Sequence, residues 1–333
     1  MQRGWPPVGM MALDSARWKC VAVLALMPCV SCRVPQREID RDDVIIGNGG
    51  YPRGLQLLSG TRLVCVGMDI YSSISPGQAV QASSWAKLST VLTDSRLGVD
   101  LANCNLAQLP SGRILASYRH HVPVTGGGAE NPPKHYAIEV SASDDNGTEW
   151  TPLSTVVSGP VGMWEPFLWP PTASSHGGGD NVIWAAYSQE LTNGGLQSIV
   201  WQRSTDQGAS WAAPLTISDG RQHRSRDGMP GITRLGDGSL LLVFEGHWDF
   251  FFHNRTESRR HFSVQARQSQ NEGATWSDGG VIFSPPDGSK GINAGAPQVI
   301  ASAGESGEFF VSFMTDEELG TVPGNWVSNA QVR

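Results

Sequence analysis

Charge is scarce in this chain. Asp, Glu, Lys and Arg make up 17% of its 333 residues, the net charge is -7, and no block of like charges occurs. A nucleic-acid binder or a protein held on an anionic membrane would show a basic patch, and there is none. Cysteine is sparse too: five in all, of which Cys20, Cys29 and Cys32 lie within the first 34 residues. The remaining pair, Cys65 and Cys104, allows one disulfide, and the lack of a CxxC pair removes any structural zinc signature. The apolar run from Cys20 to Val30 has eleven residues, too few to span a bilayer, which needs roughly 20. Arg17 and Lys19 precede it and small residues follow around Ser31, so residues 1–34 are expected to be a secretory leader. Met11 would be a more usual start than Met1, and a mis-assigned upstream exon is the bland alternative. Val30-Ser31-Cys32 also has the order of a bacterial lipoprotein cleavage site. The sequons Asn146-Gly147-Thr148 and Asn254-Arg255-Thr256 agree with secretion.

What the chain has in quantity is Gly (39), Pro (21) and Trp (12). That usage suits many short strands joined by turns and does not suit a helical bundle. The tryptophans carry a repeat. "SDDNGTEW" (143–150), "STDQGASW" (204–211) and "SQNEGATW" (269–276) share Ser-x-Asp/Asn-x-Gly-x-x-Trp. In such a turn Asp or Asn accepts backbone N–H bonds, Gly takes the positive φ, and Trp anchors the outgoing strand. Trp150, Trp211 and Trp276 are spaced by 61 and 65 residues, and a further step back of 65 reaches Trp85. A fixed period of this size signals a repeat architecture.

Between the Trp turns lies a second repeat. Residues 51–68, 102–120, 226–246 and 293–316 each run from a small or polar start through an apolar strand and a turn to a second strand; 164–190 is the same with a longer turn. Each period therefore holds four strands, the content of a β-propeller blade. Five blade starts are present. The next turn Trp would fall beyond Arg333, so the fifth blade is expected to lack its last strand or two and a sixth to be absent.

The first strand of a blade lines the central channel, so blade starts and second-strand ends supply the candidate residues. These are Tyr51, Arg53, Asp100, Asn103, Trp164, Glu165, Arg226, Asp227, Glu245 and Asn293. Glu245 closes the apolar run Leu240–Phe244, where a carboxylate would meet substrate at the channel mouth. Glu165, within "MWEPFLW", has apolar neighbours of the kind that raise a carboxyl pKa. Together they could form the two-carboxylate site of a glycosidase, with Trp164, Trp169 and Trp248 as flat faces for sugars; equally, the acids could be salt-bridged to Arg53 or Arg226 and the indoles packed in the core. "RHH" at 119–121 reads as an exposed loop with poor metal geometry. "TGGGAENPP" and "SSHGGGD" lack the Lys-Ser/Thr of a phosphate loop and read as surface turns. Glu190 reads as a supporting or rim carboxylate.

"DLANCNLAQLPSGRILASYRHH", "WEPFL", "SRDGMPG", "LLVFE" and "NAGAPQVI…VSFMTDEE" together resemble the fungal exo-α-1,5-L-arabinanases of glycoside hydrolase family 93. The resemblance runs from about Tyr51 to Glu318. It implies an all-β, six-bladed, sialidase-like β-propeller over residues 45–333, here shortened in its last blade or blades. It also implies a secreted, retaining enzyme that releases arabinobiose, with Glu165 and Glu245 as its catalytic carboxylates. Glu165 is assigned as acid/base and Glu245 as nucleophile, an order the sequence alone does not decide. Arg53, Asn103, Trp164, Arg226, Asp227 and Asn293 are assigned to substrate. The family's sixth blade supplies an active-site Tyr that this chain lacks. No cofactor or metal is expected, and the expected partner is arabinan, met by a monomer without nucleic acid or membrane. The alternatives are a sialidase-like hydrolase, which would need three Arg around a carboxylate, and a non-catalytic sugar-binding propeller.

Overall fold

The computed structural model describes residues 46–47, 50–73, 84–124, 134–171, 179–191, 195–247, 261–284, 293–302 and 308–315. The leader, Asn254, Trp248, Glu318 and most of the two Gly-rich stretches fall outside them. The first sheet contains β1 (Arg53–Gln56), β2 (Arg62–Val66), β3 (Asp69–Ser73) and β4 (Trp85–Thr90). The second contains β5 (Asp100–Gln108), β6 (Ile114–Pro123), β7 (Lys134–Ser143) and β8 (Thr151–Gly159). The third contains β9 (Met163–Trp169), β10 (Ile183–Glu190), β11 (Gln197–Ser204) and β12 (Leu215–Ser218), followed by a short helix, α1 (Gly220–His223). The fourth contains β13 (Gly228–Arg234), β14 (Leu240–His247), β15 (Phe262–Ser269) and β16 (Gly280–Phe283). Each is an antiparallel meander in chain order. β17 (Ala294–Ala301) and β18 (Phe309–Thr315) pair as a fifth unit. Among the described residues four blades of the expected propeller are complete, and the fifth shows its inner hairpin.

The long apolar strands follow from blades being covered on both faces. Along β14, Leu240, Leu242 and Phe244 pack against blade 3, while Leu241 and Val243 pack against the fifth unit. Ile183, Ala185 and Tyr187 of β10 face blade 2, and Ala186 faces blade 4. The core is thus a series of inter-blade layers. Cys65 on β2 and Cys104 on β5 close a disulfide across the first of these layers. Linking residues 39 apart constrains the unfolded chain by about 4 kcal/mol in the loop-entropy view.

The Trp turns form the outer joints. In all three, Ser143, Ser204 and Ser269 accept the turn Gly N–H, and Asp145, Asp206 and Asn271 accept backbone N–H groups from the turn's end. Trp150 Nε1 donates to Ser89 Oγ of the preceding blade at 3.1 Å, and Trp211 Nε1 to Ser154 Oγ at 3.0 Å. Each Ser in turn donates to the turn's Gly carbonyl, so one hydroxyl staples two blades. The third joint has Leu215 in place of that serine, and Trp276 bonds only its own turn at Gly273. Here an aromatic contact takes over. Trp201, stacked on Trp184 at 3.9 Å, lies so close to Gly273 that a Cβ there would meet its ring at 1.9 Å.

"RHH" is not a loop. Arg119, His120 and His121 lie on β6, where partners from other elements hold them. His120 bridges Asp94 and Glu139 at 2.9 Å each. Burial works against its charge, but the two carboxylates outweigh burial and raise its pKa. His121 is fully buried and bonds the Met163 carbonyl at 2.7 Å; burial pushes its pKa down to about 4.

Two outcomes are expected. Ser154→Ala should lower the unfolding free energy by about 1–2 kcal/mol in urea titrations, because a donor and an acceptor vanish together; Leu215→Ala should cost far less. The pKa of His120 is raised on folding, so the Asp94–His120–Glu139 clasp contributes fully below the unfolded value, about 6.5, and is lost as pH rises through the folded value. His120→Gln should therefore destabilise most at acidic pH, and the two stability–pH curves should converge in alkali.

Candidate active site

The inner strands carry a recurring dipeptide: Tyr51-Pro52, Glu165-Pro166, Met229-Pro230 and Ala296-Pro297, with Asn103-Cys104 in the second blade. The first residue of each is left-handed, with φ of 56, 51, 52, 50 and 59° respectively. In β5, β9, β13 and β17 the pair forms a bulge, two residues opposite one on the next strand. Proline fits there because a bulge residue owes the ladder no N–H. A non-glycine residue in this conformation costs roughly 1–2 kcal/mol, and such strain persists where surrounding structure imposes it. The bulge re-aims the side chain of its first residue.

The bulges make the blades comparable position by position. Asn103, Glu165, Met229 and Ala296 are equivalent. So are the residues that pair with the inner strand just before the bulge: Arg119, Ser188, Glu245 and Met314. Two rings of side chains therefore surround the channel. The two candidate acids come one from each ring on successive blades, Glu165 from blade 3 and Glu245 from blade 4.

The two acids meet over Gly228. A Cβ at Gly228 would lie 3.3 Å from Glu165 Oε2 and 3.3 Å from Glu245 Oε1, so these oxygens are within twice that distance of each other. Any side chain there would crowd both, which is why the motif reads Asp-Gly-Met. Backbone N–H groups from the next bulge hold each acid. Met229 N–H donates to Glu165 Oε2 at 3.2 Å, and Ala296 N–H donates to Glu245 Oε2 at 2.8 Å. Ser188 Oγ adds a second bond to Glu165 Oε2 at 3.0 Å.

Glu245 is only 7% exposed. Burial first, and then the charge of Glu165, push its pKa above the usual carboxylate range against the opposing Ala296 N–H, Arg226 and Arg53. Arg226 Nη1 lies 4.0 Å from Glu245 and its guanidinium faces Phe262. Arg53 donates to the Pro52 carbonyl; burial lowers its pKa, while Glu165, Tyr51 and Glu245 oppose that. Desolvation and then the charge of Glu165 raise the pKa of Tyr51, which stands at the site with 43% of its surface exposed.

Trp164, half-buried, donates to Glu190 at 3.0 Å and carries the Arg119 guanidinium 5.2 Å over its ring. Asp100 holds that guanidinium from the other side at 3.0 Å. Two of the residues assigned to substrate are buried and bonded within the protein. Asp227 is 1% exposed and accepts from Ser218 inside the blade. Asn293, also buried, accepts the Phe262 N–H at 3.0 Å, bracing the start of β15. Trp169 is core, under Arg234. Ser188, Arg119 and the N–H groups of Met229 and Ala296 were missed. The X-Pro dipeptides at the starts of the inner strands were the available signal for the bulges. Among the described residues no group of three His, Cys, Asp or Glu could hold a metal ion.

No protein-family model and no curated protein matches the sequence. Solved structures do match. The α-L-arabinanase of Penicillium chrysogenum, solved with arabinobiose, aligns at a TM-score of 0.58 with 22% identity over 84% of this chain and 81% of its own. The family 93 α-L-arabinofuranosidase of Fusarium graminearum, also solved with arabinobiose, aligns at 0.59 with 22% identity over 82% and 78%. The chain shares the propeller fold of these enzymes. The likeness is one of fold, and it extends to the endo-arabinase of Bacteroides thetaiotaomicron, at 0.54 and 13% identity over 84% and 94%.

Strain at the bulges of this propeller has a measurable consequence. Ala296→Gly should stabilise the protein by roughly 0.5–1 kcal/mol, because relief of the left-handed alanine exceeds the entropy that glycine adds to the unfolded chain. Ala296→Val should destabilise it, and chemical denaturation of the two variants checks the pair.

Proposed function

We propose that this protein is a secreted, monomeric glycoside hydrolase that attacks α-1,5-linked L-arabinan from a chain end, releases arabinobiose and retains anomeric configuration. The observation that carries the reading is the meeting of Glu165 and Glu245 over Gly228, each gripped by an N–H of the next blade. Two of their oxygens approach the same Gly228 Cβ position at 3.3 Å each, close enough for both acids to reach one glycosidic bond, as a retaining pair must. The arabinobiose in two fold neighbours supports the substrate class. The buried Cys65–Cys104 disulfide agrees with an oxidising compartment.

We assign the two roles in the opposite order to the sequence expectation. Burial and the neighbouring charge of Glu165 raise the pKa of Glu245, which suits it to the acid/base role. Glu165, with Oε2 fixed by Ser188 and Met229, is the nucleophile. In the first step Glu165 attacks the anomeric carbon as the glycosidic C–O bond breaks, and the Glu245 proton passes to the leaving oxygen. In the second, Glu245, now a carboxylate, takes a proton from water, whose oxygen displaces Glu165 from the same carbon.

A sialidase-like clamp has its three guanidinia in Arg53, Arg119 and Arg226. Arg119 is already paired with Asp100 and Arg226 faces Glu245, which suits a neutral sugar better than a carboxylate.

Product analysis on linear α-1,5-arabinan tests the reading. Glu245→Gln should lower arabinobiose release by about 10²–10⁴-fold yet still form the glycosyl-enzyme from an aryl arabinoside whose leaving group needs no proton. Glu165→Gln should abolish both. The interchanged pattern would restore the roles assigned from sequence, and absence of product from folded parent protein would leave a non-catalytic propeller. Because the raised group must be protonated to act, kcat/KM should fall as pH rises through the Glu245 value, a limb displaced upward from an ordinary carboxylate.

A further inference from the structure

Of the two sequons, Asn146-Gly147-Thr148 lies among the described residues, inside the first Trp turn. The molecule contains two copies of that turn without a sequon. At the position of Asn146 they carry Gln207 and Glu272, and all three residues are left-handed, with φ of 61, 61 and 56°. At the position of Thr148 they carry Ala209 and Ala274. The turn itself therefore demands neither Asn nor Thr at these places. Thr148 Oγ1 does donate to the Asp145 carbonyl at 3.0 Å, but an alanine makes no such bond and the other two turns form without it.

The surroundings differ as well. Gln207 Nε2 donates to Asn181 Oδ1 at 2.6 Å, and Glu272 accepts from Arg234 at 2.8 Å, so each is half-buried and tied within its blade. Asn146 is exposed, and nearby Arg113 pairs with its neighbour Asp144 instead. The amide of Asn146 thus faces solvent on a turn whose backbone is fixed by Ser143 and Asp145. Its place in the blade leaves the channel clear. Ser143 pairs with Ile114, and Ile114 with Gln108 at the end of β5, whereas Asp100 at the start of β5 pairs with His121. Glu165 and Glu245 belong to that starting end. The turn lies on the face opposite the acids, where a bulky hydrophilic group does not cover the channel mouth.

We infer that Asn146 is a glycan attachment site, taking an N-linked oligosaccharide as the chain is secreted. The donor class is an oligosaccharide carried on a lipid diphosphate and headed by N-acetylglucosamine. Asn146 Nδ2 bonds the anomeric carbon of the donor as the bond from that carbon to the diphosphate breaks; the lipid diphosphate leaves, and one amide proton leaves with it. The folded turn then holds the sugar out in solvent, where such a group belongs. This inference rests on the proposed secretion and uses nothing of the active site.

The test is peptide mass spectrometry of the full chain secreted from a yeast host and trimmed with endoglycosidase H. Trimming leaves one N-acetylglucosamine on the amide, a mark that deamidation of the Asn-Gly pair cannot imitate. The expected result is that mark on Asn146 and its loss in both Asn146→Gln and Thr148→Ala. These variants introduce residue types that the other turns already use, Gln207 at the same φ among them, so both should be secreted like the parent. A secreted chain with a bare Asn146 would overturn the inference. A chain that stays inside the cell with Asn146 bare would instead overturn the secretion reading, a separate result.

Discussion

The structure depends on one backbone constraint, a left-handed bulge in the inner strands of the second to fifth blades. Without it these strands would run through the channel mouth with side chains alternating between two inter-blade cores, Glu165 would follow that alternation, and Glu245 would lose the Ala296 N–H that grips it. With it, the first bulge residue is turned out of that alternation and its N–H is aimed at the neighbouring blade. Met229 and Ala296 use this N–H to grip Glu165 and Glu245. Both acids are therefore held from outside their own blade, and their spacing is a property of how blades pack.

That places a demand on the packing. Each blade must keep its distance from the next to within the tolerance of a hydrogen bond, and several independent devices serve this purpose. Apolar layers fill the gap along the strands, the Cys65–Cys104 disulfide crosses the first layer, and Ser89 and Ser154 pin the outer edge through Trp150 and Trp211. At the third joint, between the blades that carry the acids, the serine is replaced by the Trp184–Trp201–Trp276 aromatic column. Strain at the bulges is offset by these contacts, a common arrangement at functional sites.

Much of this was legible in the sequence because propellers write their period into it. The Trp turns are local: all of their hydrogen bonds except the serine staple fall within eight residues, so motif and spacing suffice to find them. The oddity of Glu245 at the end of an apolar strand was equally plain, since a run buried on both faces has no structural use for a carboxylate. What escaped was whatever depends on a partner that no local motif marks. Asp227 and Asn293 stand at blade starts like Glu165, and only the structure reveals their buried partners, Ser218 and the Phe262 N–H. His120 and His121 looked like a loop because Asp94, Glu139 and the Met163 carbonyl are distant in the chain. Ser188 carries no motif at all, and its role appears only once the bulge sets it opposite Trp164. The order of acid and nucleophile was likewise beyond sequence, because the burial of Glu245 depends on the packing of neighbouring blades.

The account stands on Glu165 and Glu245 acting as a double-displacement pair on arabinan. Proton NMR of the anomeric signals during the first minutes of hydrolysis of linear α-1,5-arabinan tests that most directly. The account predicts that the product first appears as the α-anomer and only later mutarotates. Initial release of the β-anomer would mean that water attacks directly, and the pairing of these two acids as nucleophile and acid/base would be wrong.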